Sequence, residues 1–235
     1  MKKKSIGPAQ KESAKLKSRG NLTSKLAAST QKKQIPIFAI GASAGGLEAV
    51  TQLLKRLPKA LGVGIVLIQH LDPTHESKLV EILSRVTTWP ISEAKDGMSL
   101  QADHVYIGPP NCLISISQGV FRAATRIKNL NPHSPQHLPI DFFFRSLAHD
   151  LGSQAIGAVL SGTASDGAQG LLAIKTEGGI TFAQDPRSAK YDGMPLNAIA
   201  TGAVDLVLKP EGIADELIRI SRHPYISKLH CRSRR

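Results

Sequence analysis

The chain has 235 residues, 41% of them hydrophobic, which is enough for one domain with a buried core and too apolar for a disordered chain. Lys and Arg number 30 against 18 Asp and Glu, a formal charge of +12 that by itself points to nucleic acid or an anionic surface. The charge is unevenly placed: residues 1–34 carry +9 and residues 219–235 carry +6, leaving −3 on residues 35–218. A mildly acidic domain between two basic tails is therefore expected, with the folded part over 35–220 and the tails over 1–34 and 221–235. The first tail is rich in Lys, Ser, Gln and Ala and has no aromatics, so disorder is expected there. Two cysteines, Cys112 and Cys231, exclude a disulfide framework and fit a reducing cytoplasm. Lys2, Lys3 and Lys4 are not followed by the apolar stretch of a signal peptide, and no run approaches the ~18 apolar residues of a membrane span.

From Ile35 onward, short β-branched runs alternate with longer amphipathic ones. A strand over 35–40 runs into a small-residue turn from Gly41 to Gly46, and a helix follows with Leu47, Val50, Leu53 and Leu54 inward. A second strand covers 63–68; after a loop through Pro73, a helix over 76–86 turns Leu79, Val80, Ile82 and Leu83 inward. Shorter strands at 105–107, 113–116 and 120–121 come next, the last two joined by Gln118-Gly119 into an antiparallel hairpin. A Pro/His-rich loop over 131–139 precedes a helix over 140–151 carrying Phe143, Phe144, Leu147 and Leu151. Strands at 155–160, 180–183 and 204–208 then alternate with helices at 168–175, 196–200 and 211–220. The pattern is that of an α/β fold: a doubly wound, mostly parallel, Rossmann-like sheet with an inserted antiparallel hairpin.

Ligands of such sheets bind beyond the carboxyl ends of the strands. Ser43, His70 and Asp166 each follow an inferred strand, so if those strands are neighbours the three converge on one edge as a hydrolase triad. Ser43 lies in Gly41-Ala42-Ser43-Ala44-Gly45-Gly46, where small neighbours leave a nucleophile exposed at a sharp strand-to-helix turn. Two other readings compete: a serine that only caps the helix, and a glycine-rich phosphate cradle. Against a dinucleotide site, the central glycine of the fingerprint is replaced by Ser43 and the second strand ends in Gln69-His70 without an acid. Asp166 stands in the glycine-bounded turn Ser161 to Gly167, where the plain alternative is a cap for the following helix. His133 and His137 have an H-x3-H spacing, but a loop with Pro between them and no nearby Cys or Glu is weak ground for zinc, and no metal site is expected. The order Ser, His, Asp matches neither the α/β-hydrolase nor the chymotrypsin or subtilisin order.

Five segments in order resemble the catalytic domain of CheB-type chemotaxis protein-glutamate methylesterases: Ile40 to Ala49, Gln69-His70, the helix start Ile140-Asp141-Phe142-Phe143-Phe144-Arg145-Ser146, Leu160 to Gly170, and Asp192-Gly193-Met194-Pro195. The stretch Gln69 to His75 is most similar to the version found in CheB/CheR fusion proteins. The resemblance implies a serine hydrolase of glutamate γ-methyl esters on chemoreceptor-type proteins, with glutamine deamidation as an associated activity and no cofactor. Ser43 would be the nucleophile, His70 the general base and Asp166 its orienting acid. Backbone N–H groups near Ala44 and Thr163 would stabilise the oxyanion, and Met194 either borders the cleft or belongs to the core. Family members often have Thr at the position of Ala44 and Met-Gly-Asn at Thr163-Ala164-Ser165, which removes a side-chain contribution but no backbone donor. Only about 34 residues precede the first strand, too few for the receiver domain that many members carry, so phosphoryl control in cis is expected to be absent. The alternatives are a non-catalytic module on the same fold, using its basic tails on an acidic partner, a membrane or nucleic acid, and a dinucleotide-binding Rossmann domain. No specific contact with nucleic acid is expected.

Overall fold

A computed structural model describes residues 35–70, 78–110, 112–125 and 138–223. The tail over 1–34, most of the second tail, the His133/His137 pair and the start of the helix expected at 76–86 lie outside the described residues.

Seven strands form one sheet in the order β3-β4-β2-β1-β7-β8-β9: β1 (Ile37–Ala42), β2 (Gly64–Gln69), β3 (Ile91–Glu93), β4 (His104–Ile107), β7 (Ala155–Val159), β8 (Ile180–Gln184) and β9 (Leu206–Leu208). Every pairing in it is parallel. β5 (Cys112–Ser117) and β6 (Val120–Thr125) form a separate antiparallel hairpin. The expected fold class is therefore observed. β1 is central because both its edges are used, by β2 and by β7, and it is buried along its whole length. Such a strand reads as a continuous small and β-branched run, Ile37-Phe38-Ala39-Ile40-Gly41-Ala42, with no polar position.

The two faces carry separate cores, set by the alternation of side chains along each strand. Phe38 and Ile40 of β1, Ile65 and Leu67 of β2 and Ile156 of β7 face α1 (Gly46–Arg56), α2 (Leu79–Ser84) and α6 (Pro210–Ser221). Ile37, Ala39, Val66 and Val159 face α3 (Pro139–Leu151), α4 (Ala168–Thr176) and α5 (Gly193–Ala200), and the hairpin adds Ile114, Ile116 and Phe121 to that side. The hairpin is held on α3 by Ser146, whose Oγ accepts the Ile116 N–H at 3.1 Å.

Three expectations change. β3 is a three-residue, half-exposed edge strand with too little apolar character to read from sequence. Ile82 is 40% exposed rather than inward, because the six-residue α2 turns Leu79, Leu83 and, in part, Val80 to the core and leaves Ile82 on its outer side. α5 starts at Gly193, three residues before the expected 196. Among the described residues no helix is long and apolar enough to cross a membrane.

Candidate active site

The sheet order places β2, β1 and β7 side by side, so the residues following them meet at one edge. The backbone there is tied on both flanks of β1. His70 N–H donates to Ala42 O at 3.3 Å, Leu160 N–H to Gly41 O at 2.9 Å, and Ser43 N–H to Ser161 O at 3.0 Å. Side chains follow the backbone: His70 Nδ1 lies 3.3 Å from Ser43 Oγ, and His70 Nε2 lies 2.7 Å from Asp166 Oδ2. These partners assign the proton of a neutral ring to Nε2, facing the carboxylate, and leave the Nδ1 lone pair for the serine hydroxyl. The ring nitrogens are thus used in the opposite sense to the chymotrypsin arrangement, in which Nε2 faces the serine. The imidazole is 31% exposed while the Asp166 side chain is 1% exposed, so one end of the chain meets solvent and the other is sealed.

The alternative roles for Ser43 and Asp166 do not fit the geometry. The N-cap of α1 is Gly45, in the left-handed conformation at φ 73°, and no side chain caps this helix, so Ser43 Oγ is not spent on it. Gly45 has no room for a side chain: a Cβ there would stand 2.6 Å from Ser161 Oγ and 2.8 Å from Lys190 Cβ. Asp166 does not cap its own helix either; the N-cap of α4 is Gly167. Instead Asp166 lies across the first turn of α3, accepting the Ile140 N–H on Oδ2 at 3.0 Å and the Asp141 N–H on Oδ1 at 2.9 Å. Its carboxyl group thus takes two of the N–H groups that the first turn of α3 leaves without intrahelical partners, which fixes its orientation beside the imidazole.

Two supports escaped the sequence reading. Ser161, 1% exposed, donates from Oγ to Ala44 O at 2.8 Å and accepts the Tyr191 N–H at 3.0 Å, while its own N–H donates to Gln184 Oε1 at 2.8 Å. It clamps the Ser43 turn, the Tyr191 segment and the end of β8 together. Asp141, 4% exposed, accepts the N–H groups of Gly167 at 2.9 Å and Gly170 at 2.7 Å on Oδ1. In the sequence it reads as an ordinary acid in a first helical turn; only its position after Pro139, opposite a second helix start, sets it apart.

The remaining candidates separate. Met194 is fully buried in the core on the α3 side, and its N–H donates to Gly162 O at 2.9 Å, so it supports the Gly162 segment from below and offers the cleft neither side chain nor donor. The Ser43 N–H is taken by Ser161 O and the Gly162 N–H by Tyr191 O. The Ala44 and Thr163 N–H groups have no assigned acceptor among the described residues. No group of three or more His, Cys, Asp or Glu side chains among the described residues is arranged to hold a metal ion.

A parallel α/β domain with a serine, an imidazole and a buried carboxylate in hydrogen-bonded sequence at the carboxyl edge of its central strands has the build of a serine hydrolase. Residues 38–217 match the CheB methylesterase family, and the chain belongs to that family. The Burkholderia thailandensis protein named protein-glutamate methylesterase/protein-glutamine glutaminase 4 is 38% identical over 185 residues, covering 79% of this chain and 53% of that protein. A Pseudomonas aeruginosa protein of the same designation, numbered 2, is 36% identical over 186 residues and is covered over 52% of its length. The chain thus spans about half the length of these curated relatives. The crystal structure of the Thermotoga maritima CheB methylesterase catalytic domain superposes with a TM-score of 0.69 at 28% identity, covering 80% of this chain and 99% of that one.

Proposed function

We propose that this chain is a serine esterase that hydrolyses glutamate γ-methyl esters on chemoreceptor-type signalling proteins, with glutamine deamidation as a second outcome of the same acyl chemistry. The observation that carries the reading is the Ser43–His70–Asp166 relay, in a chain whose relatives are named for both activities. Ser43 Oγ attacks the ester carbonyl as His70 Nδ1 takes its proton, and Asp166 stabilises the imidazolium through Nε2–H. The Ala44 and Thr163 N–H groups are the donors offered to the oxyanion, and loss of one such donor typically costs about 10²–10³ in rate. The tetrahedral intermediate collapses with methanol leaving on the proton from His70. Water, deprotonated by His70, then hydrolyses the glutamyl-enzyme and returns Ser43 its proton. For a glutamine the leaving group is ammonia and the remaining steps are unchanged.

The setting proposed is cytoplasmic, in keeping with two cysteines in 235 residues and no apolar run of spanning length. The decisive measurement is methanol release from a methylated chemoreceptor by wild type and by Ser43→Ala. Wild type is expected to release methanol, and Ser43→Ala to lose at least about 10³-fold in kcat while melting at an unchanged temperature. A Ser43→Ala variant that kept its rate would remove Ser43 from the mechanism; a wild type inert on every methylated receptor tried, and unreactive toward a serine-directed fluorophosphonate, would favour the non-catalytic module.

A further inference from the structure

The two helix starts beside the site exchange carboxylates. Asp166, in the turn before α4, accepts two N–H groups from the first turn of α3; Asp141, in that first turn of α3, accepts the N–H groups of Gly167 and Gly170 at the start of α4. Four of the orphan donors that two helix starts would otherwise leave are satisfied by two buried carboxylates, each supplied by the opposite segment. The arrangement is reciprocal at Asp141 itself, whose N–H binds Asp166 while its Oδ1 binds the residue immediately after Asp166.

We infer that Asp141 is a positioning residue for the relay, fixing the Gly167–Gly170 backbone to α3 so that Asp166 Oδ2 is held on His70 Nε2. This rests on the triad reading above. Asp166 is reached by His70 through one short bond, and its other two contacts are backbone groups of α3, so its orientation follows the relative placement of α3 and the 166–170 segment. Asp141 is the side chain that spans those two pieces. Its retention is costly: burial pushes its carboxyl up, the negative charge of Asp166 adds to this, and the Gly170 and Gly167 N–H groups and the Arg145 guanidinium offset only part of the effect.

The test uses the full chain with Asp141→Ala, Asp141→Glu and Asp141→Asn, and two readouts. The first is kcat and KM for methanol release from a methylated chemoreceptor; the second is the ¹⁵N and low-field ¹H NMR signal of the His70 ring. Asp141→Ala, which removes the acceptor, and Asp141→Glu, which displaces it by one methylene, are expected to lower kcat at least 10-fold with KM within twofold. Both are expected to weaken the signal of an Nε2–H held by a carboxylate. Asp141→Asn keeps an oxygen for both N–H groups and is expected to restore that signal and to recover kcat to within about threefold. A folded Ala or Glu variant with kcat and His70 signal like wild type overturns the inference, as does a folded Asn variant that loses the signal. Ser43→Ala, measured alongside, tests the triad: if it stays active the catalytic reading fails, while the NMR signal still decides whether Asp141 holds Asp166.

Discussion

Ala164 occupies φ 67°, in the left-handed region, two residues before Asp166, and its carbonyl is held there by Asn197 Nδ2 at 2.9 Å. An alanine in this region carries ~1–2 kcal/mol of steric cost that glycine does not. Ala164→Gly is therefore expected to raise the unfolding free energy by up to ~1 kcal/mol, after subtracting the entropy glycine adds to the unfolded chain, and denaturant titration reads this directly. Ser161 is the opposite kind of residue, since its hydroxyl satisfies Ala44 O and the Tyr191 N–H at once. Ser161→Ala leaves two groups near the nucleophile without their partner, at about 1–3 kcal/mol each when buried. A lower denaturation midpoint together with a fall in kcat larger than the change in KM is expected; kinetics equal to wild type would show that the Ser43 turn holds its shape without the clamp.

Where elements meet, α3 and α4 approach closely beside the site. A Cβ at Gly170 would stand 2.5 Å from Phe144 Cβ and 3.1 Å from Asp141 Cα, so the helices touch where a side chain cannot fit. Gly170→Ala is expected to force them apart at about 1–3 kcal/mol and to lower kcat, because the spreading acts on the Asp166 segment; thermal melts and kinetics check it. On the far side of α4, Asp205 accepts the Thr181 N–H at 3.0 Å and the Thr181 hydroxyl at 2.9 Å, and pairs with Lys175, tying the end of α4 to β8. Burial alone pushes its carboxyl up, but the Lys175 ammonium and the Thr181 donors outweigh this and hold it below the usual carboxylate range. A lowered folded-state value means the stabilisation is present above the ordinary value of about 4 and disappears as pH falls through the folded value. Wild type should thus lose stability on acidification below about pH 4 more steeply than Asp205→Asn, and an equal loss of unfolding free energy between pH 7 and pH 3 in the two, read by denaturant titration, would remove Asp205 from the account.

Taken whole, the chain joins a core segment of net −3 to segments of +9 and +6. If these basic stretches bring the proposed esterase to an acidic receptor surface, kcat/KM should fall as salt shortens the Debye length from ~10 Å at 0.1 M, and deletion of residues 1–34 should flatten that dependence. An unchanged salt profile after the deletion would assign them no part in encounter. The alternation of strands and helices, the two-faced sheet and the placement of Ser43, His70 and Asp166 at strand ends were all legible in the amino-acid order, since each depends on local periodicity and small-residue turns. The edge strand β3 and the outward turn of Ile82 were not, because segments this short carry too few residues for periodicity to show. What only the tertiary structure decided is the meeting of the three side chains, across separations of 27 and 96 residues. That meeting follows from β2 and β7 both choosing β1 as neighbour, a matter of strand order that no local pattern encodes. The same holds for the ring nitrogen that faces each partner and for Asp141 and Ser161: an acid in a first helical turn and a serine after a strand look ordinary until a second backbone is packed against them.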